Sequence, residues 1–412
     1  MAFTALLVVE SGCNRLAAPA GPSSTSSISL TASQADNALG SNLYNFYDTQ
    51  SGNIFFSPFS IITALAMAQE GAAGDTASQM QQVLGLSSDA ATRQQTFQQL
   101  ISAINAPGKS YTLDTADDLW PQKGFSIIPS YLNVVQNDYF AGVTAVDYVG
   151  DASGAVQTIN GAVSQQTEGY IPNLLSISNI SVKTKLILTN AIYFKADWQN
   201  EFDVMNTRTG NFTLPTSAAV PVSMMSEDLH AHVGSYNGVA SVLALPYKNN
   251  QASMYIFLPP AGGMAALESQ LSASNLNNWL MANAATMTGS ADDYVALSLP
   301  RFTFSSSYEL SSTLSQMGMP LAFDGKSADF SGIDGAQDLY ISEVIHKAYI
   351  DVTESGTTAA AATAVVVTRD SIAPMEAQES FAVDYPFIFL IVDNATNTVL
   401  FMGRIENPLQ AS

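Results

Sequence analysis

HKAYIDVTESGTTAAAATAVVVTRDSIAPMEAQES, residues 346–380, opens as a strand and then departs from every regular element. Tyr340–Val352 is rich in β-branched and aromatic residues, the composition of a strand, and Phe387–Val392 begins another. Between them lie more than thirty residues with no helical face and no evident strand partner. A connection that long inside a compact domain usually carries function or is disordered. Its first half, Gly356–Val367, holds no proline, no charge and no side chain larger than valine, so it suits burial in a sheet. Thr368-Arg369-Asp370-Ser371 follows at once and suits solvent.

One physical reading joins the two halves. If the stretch from Thr357 enters a sheet as an extra strand, alternation turns Thr357, Ala359, Ala361 and Thr363 to one face. Side chains that small can slide between existing strands without prising a core apart. Alanine also has low β-propensity, so the segment is not strongly driven to insert or aggregate before a trigger. Pro374 lies beyond the insertable part, where its missing N–H harms no ladder.

The rest of the chain bounds what this segment can serve. A length of 412 residues suggests two or three domains as a prior, yet no linker, repeat or long charge block follows Ser33. One domain over 34–412 is therefore expected, with the loop at about 354–380. The net charge of -21 comes without any Lys/Arg run. That argues against nucleic acid, heparin-like polyanions and anionic membrane surfaces as partners, each of which needs a basic footprint. The single cysteine, Cys13, leaves no internal disulfide and no cysteine-based zinc site. It follows the apolar run Ala2–Val9 and the small pair Ser11-Gly12, and precedes a Ser/Pro/Ala/Gly/Thr-rich segment, Leu16–Ser33. Residues 1–33 thus resemble a lipoprotein-type signal and flexible linker. Glu10 and the absence of an early Lys or Arg depart from that pattern, and an unstructured tail with an incidental cysteine is the alternative. The expectation is an extracytoplasmic protein, secreted or lipid-anchored through Cys13 at the cell surface or in the periplasm.

Helical spacing is clear early: Ala35, Leu39, Leu43 and Phe46 share a face, and Ile61, Leu65 and Ala68 follow Pro58. The pattern predicts further helices at 75–84, 92–105, 129–138, 151–168, 264–281 and 306–317. Strands are predicted at Lys185–Phe194, Ser253–Leu258, Tyr294–Phe304, Tyr340–Val352, Phe387–Val392 and Val399–Ile405. The class is α+β. Motifs for hydrolysis or nucleotide binding are missing: there is no G-x-S-x-G, S-x-x-K, H-E-x-x-H or G-x-G-x-x-G. Pro107-Gly108-Lys109-Ser110 echoes the end of a P-loop without its first glycine and reads as a turn. His230 and His232 read as surface-strand residues, with no nearby cysteine and no convincing set of carboxylate ligands to complete a metal site.

The loop resembles the reactive-centre loop of serpins, with Glu354-Ser355-Gly356-Thr357 and Thr358-Ala359-Ala360-Ala361-Ala362-Thr363 as its hinge. Similar segments run along the chain: Asn53-Ile54-Phe55-Phe56-Ser57-Pro58-Phe59-Ser60-Ile61, Gly71-Ala72-Ala73-Gly74-Asp75-Thr76, Asn190-Ala191-Ile192-Tyr193-Phe194-Lys195 with Trp198, Leu299-Pro300-Arg301-Phe302, and Asp384-Tyr385-Pro386-Phe387-Ile388-Phe389 through Gly403-Arg404-Ile405. The resemblance implies about eight or nine helices around three β-sheets and an exposed loop. It implies an inhibitor of serine-type endopeptidases rather than an enzyme, whose loop, once cleaved, inserts into the main sheet and traps the acyl-enzyme in a covalent 1:1 complex. A cysteine peptidase is a second target class, and a monomer without cofactor or metal is expected. The alternative within the family is a non-inhibitory carrier, chaperone or peptidase substrate. Such members tend to carry charged, bulky or proline residues in the hinge, and from Gly356 to Thr363 this hinge has none.

Carried over by resemblance, Ser57, Ser60, Asn190 and His346 form the "shutter" beneath the main sheet. Trp198, Arg301 and Glu354 mark the "breach" where insertion begins. The hinge comprises Glu354, Gly356, Thr357, Thr358, Ala359, Ala360, Ala361 and Ala362. Counting fourteen residues from Gly356 places the reactive bond at Asp370-Ser371, with Arg369-Asp370 the alternative.

Overall fold

The computed structural model describes residues 31–288, 294–357 and 379–410. Among them the helices are α1 (Ala32–Tyr47), α2 (Pro58–Gln69), α3 (Gly74–Leu84), α4 (Ala90–Ile104), α5 (Pro129–Asn137), α6 (Ala152–Gln166), α7 (Met264–Gln270), α8 (Ala273–Met287), α9 (Ser311–Met317) and α10 (Ser331–Asp334). The strands are β1 (Ile54–Phe56), β2 (Tyr111–Thr115), β3 (Leu119–Pro121), β4 (Leu186–Asp197), β5 (Arg208–Thr213), β6 (Ala219–His230), β7 (Val233–Tyr236), β8 (Ala240–Pro246), β9 (Ala252–Leu258), β10 (Tyr294–Pro300), β11 (Phe302–Glu309), β12 (Ile345–Thr353), β13 (Gly356–Thr357), β14 (Glu379–Ala382), β15 (Phe387–Asp393) and β16 (Thr398–Ile405).

They form three sheets: β1-β16-β15-β9-β8-β7, β14-β10-β6-β5, and the main sheet β11-β12-β13-β4-β2. In the main sheet β12 also pairs directly with β4, and β3 pairs with β4 beyond the end of β2. Both strands of the closing hairpin, β15 and β16, are buried along their whole length. Phe55 stacks on Phe401 with centroids 5.4 Å apart, joining β1 to this hairpin. The turn between the strands is held by Asp393, which accepts from Thr396 N–H (3.0 Å), Tyr111 Oη (2.9 Å) and Lys109 Nζ (2.7 Å). The Pro107–Ser110 segment is therefore a turn, with Gly108 at φ +85°, whose lysine pins the hairpin. His230 ends β6 beside Tyr294, and no group of three or more metal-ligating side chains stands together among the described residues.

Helix starts follow their caps. Thr31 and Gln34 make a reciprocal capping box on α1, and Ser57 caps α2 with Pro58 at its first position. Two predicted helices need correction. The 306–317 helix begins only at Ser311, because residues 302–309 continue as β11: Phe302 and Phe304 alternate into the core, and the serines that follow extend the ladder to β12. The 264–281 helix is two helices, broken at Leu271-Ser272, where Ser272 Oγ accepts from Asn275 N–H (3.3 Å) and starts α8. Strands β5 to β8 escaped the pattern, since β5 and β6 mix exposed polar positions with isolated buried ones.

One buried group in α1 sets a stability cost. Asp36 is fully buried, and neither carboxyl oxygen has a hydrogen-bond partner among the described residues. Burial pushes its carboxyl well above the usual range against a weaker pull from the Val399 N–H, which itself donates to Asn37 Oδ1 (2.9 Å). A carboxyl raised in this way costs stability as pH climbs past its unfolded value of 3.8. Asp36→Asn keeps the shape without the charge and should raise the melting midpoint at pH 8 by at least about 2 °C, with a smaller gain at pH 5. Calorimetry at the two pH values checks this; an unchanged or lower midpoint at pH 8 would contradict it.

Candidate functional site: a split main sheet

The main sheet is closed at one end and open at the other. Ile345, His346, Lys347 and Ala348 of β12 pair in parallel with Thr189, Asn190, Ala191 and Ile192 of β4. Above Ala348 and Ile192 the strands diverge, and the gap is occupied by β13. Thr357 pairs with Val352 on one side and Ala196 on the other, and Gly356 with Thr353 and Asp197. The first two residues of the long loop already lie in the slot.

Local chemistry sets that geometry. A Cβ on Gly356 would collide with the Ala196 carbonyl oxygen and come within 2.7 Å of Asp197 Cα, so only glycine permits this approach. Thr357 points into the core, where its Oγ1 lies 2.6 Å from Tyr247 Oη. The Tyr247 ring stacks on Trp198, 4.5 Å between centroids and 9° between planes. Trp198 in turn donates from Nε1 to Thr353 O and from its backbone N–H to Ser355 O, both at 2.9 Å. Phe202 N–H donates to Glu354 O (2.9 Å). Glu354 is buried; its Oε1 accepts from Thr207 Oγ1 (2.7 Å) and its Oε2 lies 3.5 Å from Arg301, which is about half exposed (46%).

At the closed end a second set of side chains sits beneath the four paired positions. Ser57 N–H donates to His346 Nε2 (3.0 Å), which leaves the ring proton on Nδ1 to be donated to Asn190 Oδ1. Asn190 Nδ2 donates to Asp117 Oδ1 (2.9 Å) and to Ser60 Oγ, and Ser60 Oγ donates to Asp117 Oδ1 (3.2 Å). Ser57 Oγ donates to Leu400 O (2.6 Å). Burial holds His346 neutral, its pKa lowered to about 3. For Asp117, burial is the main influence and raises its carboxyl well above the usual range; the Ser60 bond opposes this, Asp118 adds to it, and the Asn190 bond opposes it.

The structure thus brings Ser57, Ser60, Asn190 and His346 into one chain of hydrogen bonds, and gathers Trp198, Arg301 and Glu354 with Gly356 and Thr357 at the mouth of the slot. Thr358, Ala359, Ala360, Ala361, Ala362, Arg369, Asp370, Ser371 and Cys13 lie outside the described residues. Sequence reasoning missed Asp117, Tyr247 and Thr207. For Asp117 a signal existed: Asp117-Asp118 directly precedes the buried run Leu119-Trp120. Tyr247 and Thr207 carried none.

A family model described as Serpin (serine protease inhibitor) matches residues 34–408. The chain is a serpin. As a family these proteins are inhibitors of serine proteases rather than enzymes. Among its relatives, an uncharacterized serpin-like protein, TK1782, of the archaeon Thermococcus kodakarensis is 40% identical over 382 residues, covering 90% of this chain and 85% of the relative. The leukocyte elastase inhibitor of Bos taurus is 39% identical over 363 residues, covering 87% and 93%. Of solved structures, human thyroxine-binding globulin in complex with thyroxine superposes with a TM-score of 0.80 at 30% identity, covering 92% of this serpin and 99% of that chain. The serpin fold, α+β with three sheets, matches the expectation, and ten α-helices are present among the described residues.

The neutral histidine under the closed end gives a pH dependence with a definite sign. Its folded pKa lies below the ordinary 6.5, so its contribution is full above that value and is lost as pH falls toward about 3. Between pH 7 and pH 5 this serpin should lose about 2 kcal/mol of stability through His346 alone. The urea midpoint of the wild type should therefore fall more steeply over that interval than that of His346→Gln. Equal slopes would show that the ring does not titrate in this way.

Proposed function

We propose that this serpin inhibits serine-type endopeptidases as a suicide substrate. The peptidase attacks the exposed loop and forms an acyl-enzyme, cleavage frees the loop, and the loop fills the slot between β12 and β4 before water completes hydrolysis. The observation that carries this reading is the placement of Gly356 and Thr357 between both strands of the split.

Continuing that register downward is informative. From the pairing of Gly356 and Thr357, an inserted loop would bring Ala359 opposite Phe194 and Ile350, Ala361 opposite Ile192 and Ala348, and Thr363 opposite Asn190 and His346. In that inserted strand all three would share the core-facing side with Thr357. The segment Gly356–Val367, twelve residues free of charge and proline, matches β4, twelve residues from Asp197 down to Leu186. Uncharged small residues last for the length of the slot, and the charged Arg369 and Asp370 fall beyond it. A peptidase attached at that point would be carried to the far end of the sheet, where distortion of its oxyanion hole and catalytic groups stops deacylation.

The relative named as an elastase inhibitor fits this reading, while thyroxine-binding globulin represents the carrier alternative. The extracytoplasmic placement, and a lipid tether through Cys13, remain part of the proposal. No helix among the described residues is long and apolar enough to cross a membrane.

The test is a panel of serine and cysteine peptidases read on denaturing gels, with mass spectrometry of the released C-terminal piece. A covalent 1:1 complex is expected with at least one serine peptidase, releasing Ser371–Ser412 if Asp370-Ser371 is cut, or Asp370–Ser412 if Arg369-Asp370 is. Thr357→Arg, which would bury a charge against Tyr247, should convert most of the complex to simple cleavage, at least a tenfold loss of inhibition. Cleavage without any complex by the whole panel, or full inhibition by Thr357→Arg, would overturn the reading.

A further inference from the structure

We infer that Tyr170 is a clasp across the apex of the split, a positioning residue that sets how fast β4 and β12 part. The inference rests on the reading of the slot given above. Ala348 and Ile192 are the last paired residues of the two strands, so Tyr349 of β12 and Tyr193 of β4 occupy the next positions, where the strands begin to separate. Both side chains lie on the α6 face of the sheet: Ala191, which shares that face with Tyr193, packs with Ala155, Ile159 and Val163 of α6.

Tyr170 comes from the segment that follows α6, and its ring touches both tyrosines. Its centroid is 4.7 Å from that of Tyr193, the planes 14° apart, and 4.9 Å from that of Tyr349. Of these three rings only Tyr193 is fully buried, and its hydroxyl is pushed well up, first by burial and then by the neighbouring Tyr170 and Glu168. One side chain therefore joins the two strands at the point where their backbone ladder stops.

The backbone that delivers this ring is unusual. Glu168 and Gly169 have φ of +49° and +83°, two successive left-handed residues that reverse the chain at the end of α6. Gly169 N–H donates to Ser164 O (2.7 Å) and Tyr170 N–H to Thr167 O (2.9 Å), closing the reversal. Downstream the segment is pinned again: Asn160 Oδ1 accepts from the Leu174 and Leu175 N–H groups, and Asn160 Nδ2 donates to Leu175 O. Lys347 Nζ of β12 donates to Asn173 O. The segment is thus tied to α6 by Asn160, to β12 by Lys347 and Tyr349, and to β4 by Tyr193. Parting the strands moves Tyr193 and Tyr349 away from each other, and the Tyr170 ring cannot follow both. At least one ring contact must be given up at the first step of opening.

The experiment measures the rate at which intact protein takes up a synthetic peptide with the sequence of residues 358–370, followed by the rise in melting temperature with time. Tyr170→Ala should take up the peptide about tenfold faster than the wild type, the scale set by loss of an aromatic contact. Tyr170→Phe, which keeps the ring, should stay within about twofold, and Tyr349→Ala should be accelerated like Tyr170→Ala, so the inference survives if either alanine variant fails to fold. Wild-type rates in the alanine variants, or a Tyr170→Phe rate equal to that of Tyr170→Ala, would overturn the clasp and leave the slot intact. Uptake by none of the proteins would overturn the slot itself, and the clasp with it.

Discussion

Four paired positions hold this serpin in its resting form. Ile345–Ala348 and Thr189–Ile192 join β12 to β4 over a short parallel stretch, while the upper parts of both strands stand apart around Gly356 and Thr357. Everything proposed for the protein depends on that junction being stable enough to persist and weak enough to be replaced. A parallel pairing of four residues is a modest barrier, so much of the restraint must come from side chains. The chain running Ser57, His346, Asn190, Ser60 and Asp117 supplies it from the core side. The tyrosines and the segment after α6 cover the opposite face.

The two sides differ physically. Below the sheet the groups are buried and polar, and each hydrogen bond has a specified partner; breaking one without a replacement would leave an unsatisfied buried donor or acceptor, a cost of about 1–3 kcal/mol. That makes the lower junction cooperative, since His346 cannot leave Asn190 without also disturbing its acceptance from Ser57 N–H. On the opposite face the contacts are aromatic and can loosen gradually. The mouth of the slot combines both kinds: Trp198 and Tyr247 form a stacked floor, and their polar atoms fasten Thr353, Ser355 and Thr357 in place. The loop is therefore started into the sheet rather than left to find it.

Much of this was legible in the sequence, for particular reasons. The loop betrayed itself because a stretch fit for burial adjoined one fit for solvent. The closing hairpin was readable from its apolar runs and the Asp393–Asn397 turn residues, and the shutter and breach residues lay within long motifs. Composition could not reveal β5 and β6, whose half-exposed strands mix polar and apolar residues, nor where helical spacing near Tyr308 gives way to an extended ladder. Tyr247 was hidden for a different reason: its importance arises from a contact over 110 residues of chain, to Thr357. Such pairings come from topology, and no local pattern encodes them.

The central claim, that the resting sheet has an unfilled slot matched to its own loop, is tested most directly by melting the intact protein beside protein nicked once within residues 368–372. If the freed segment becomes a full strand between β4 and β12, it gains ladders on both sides, and the nicked form should melt at least about 20 °C higher. Nicked and intact protein melting together would mean that the segment stays outside the sheet, and the account would be wrong.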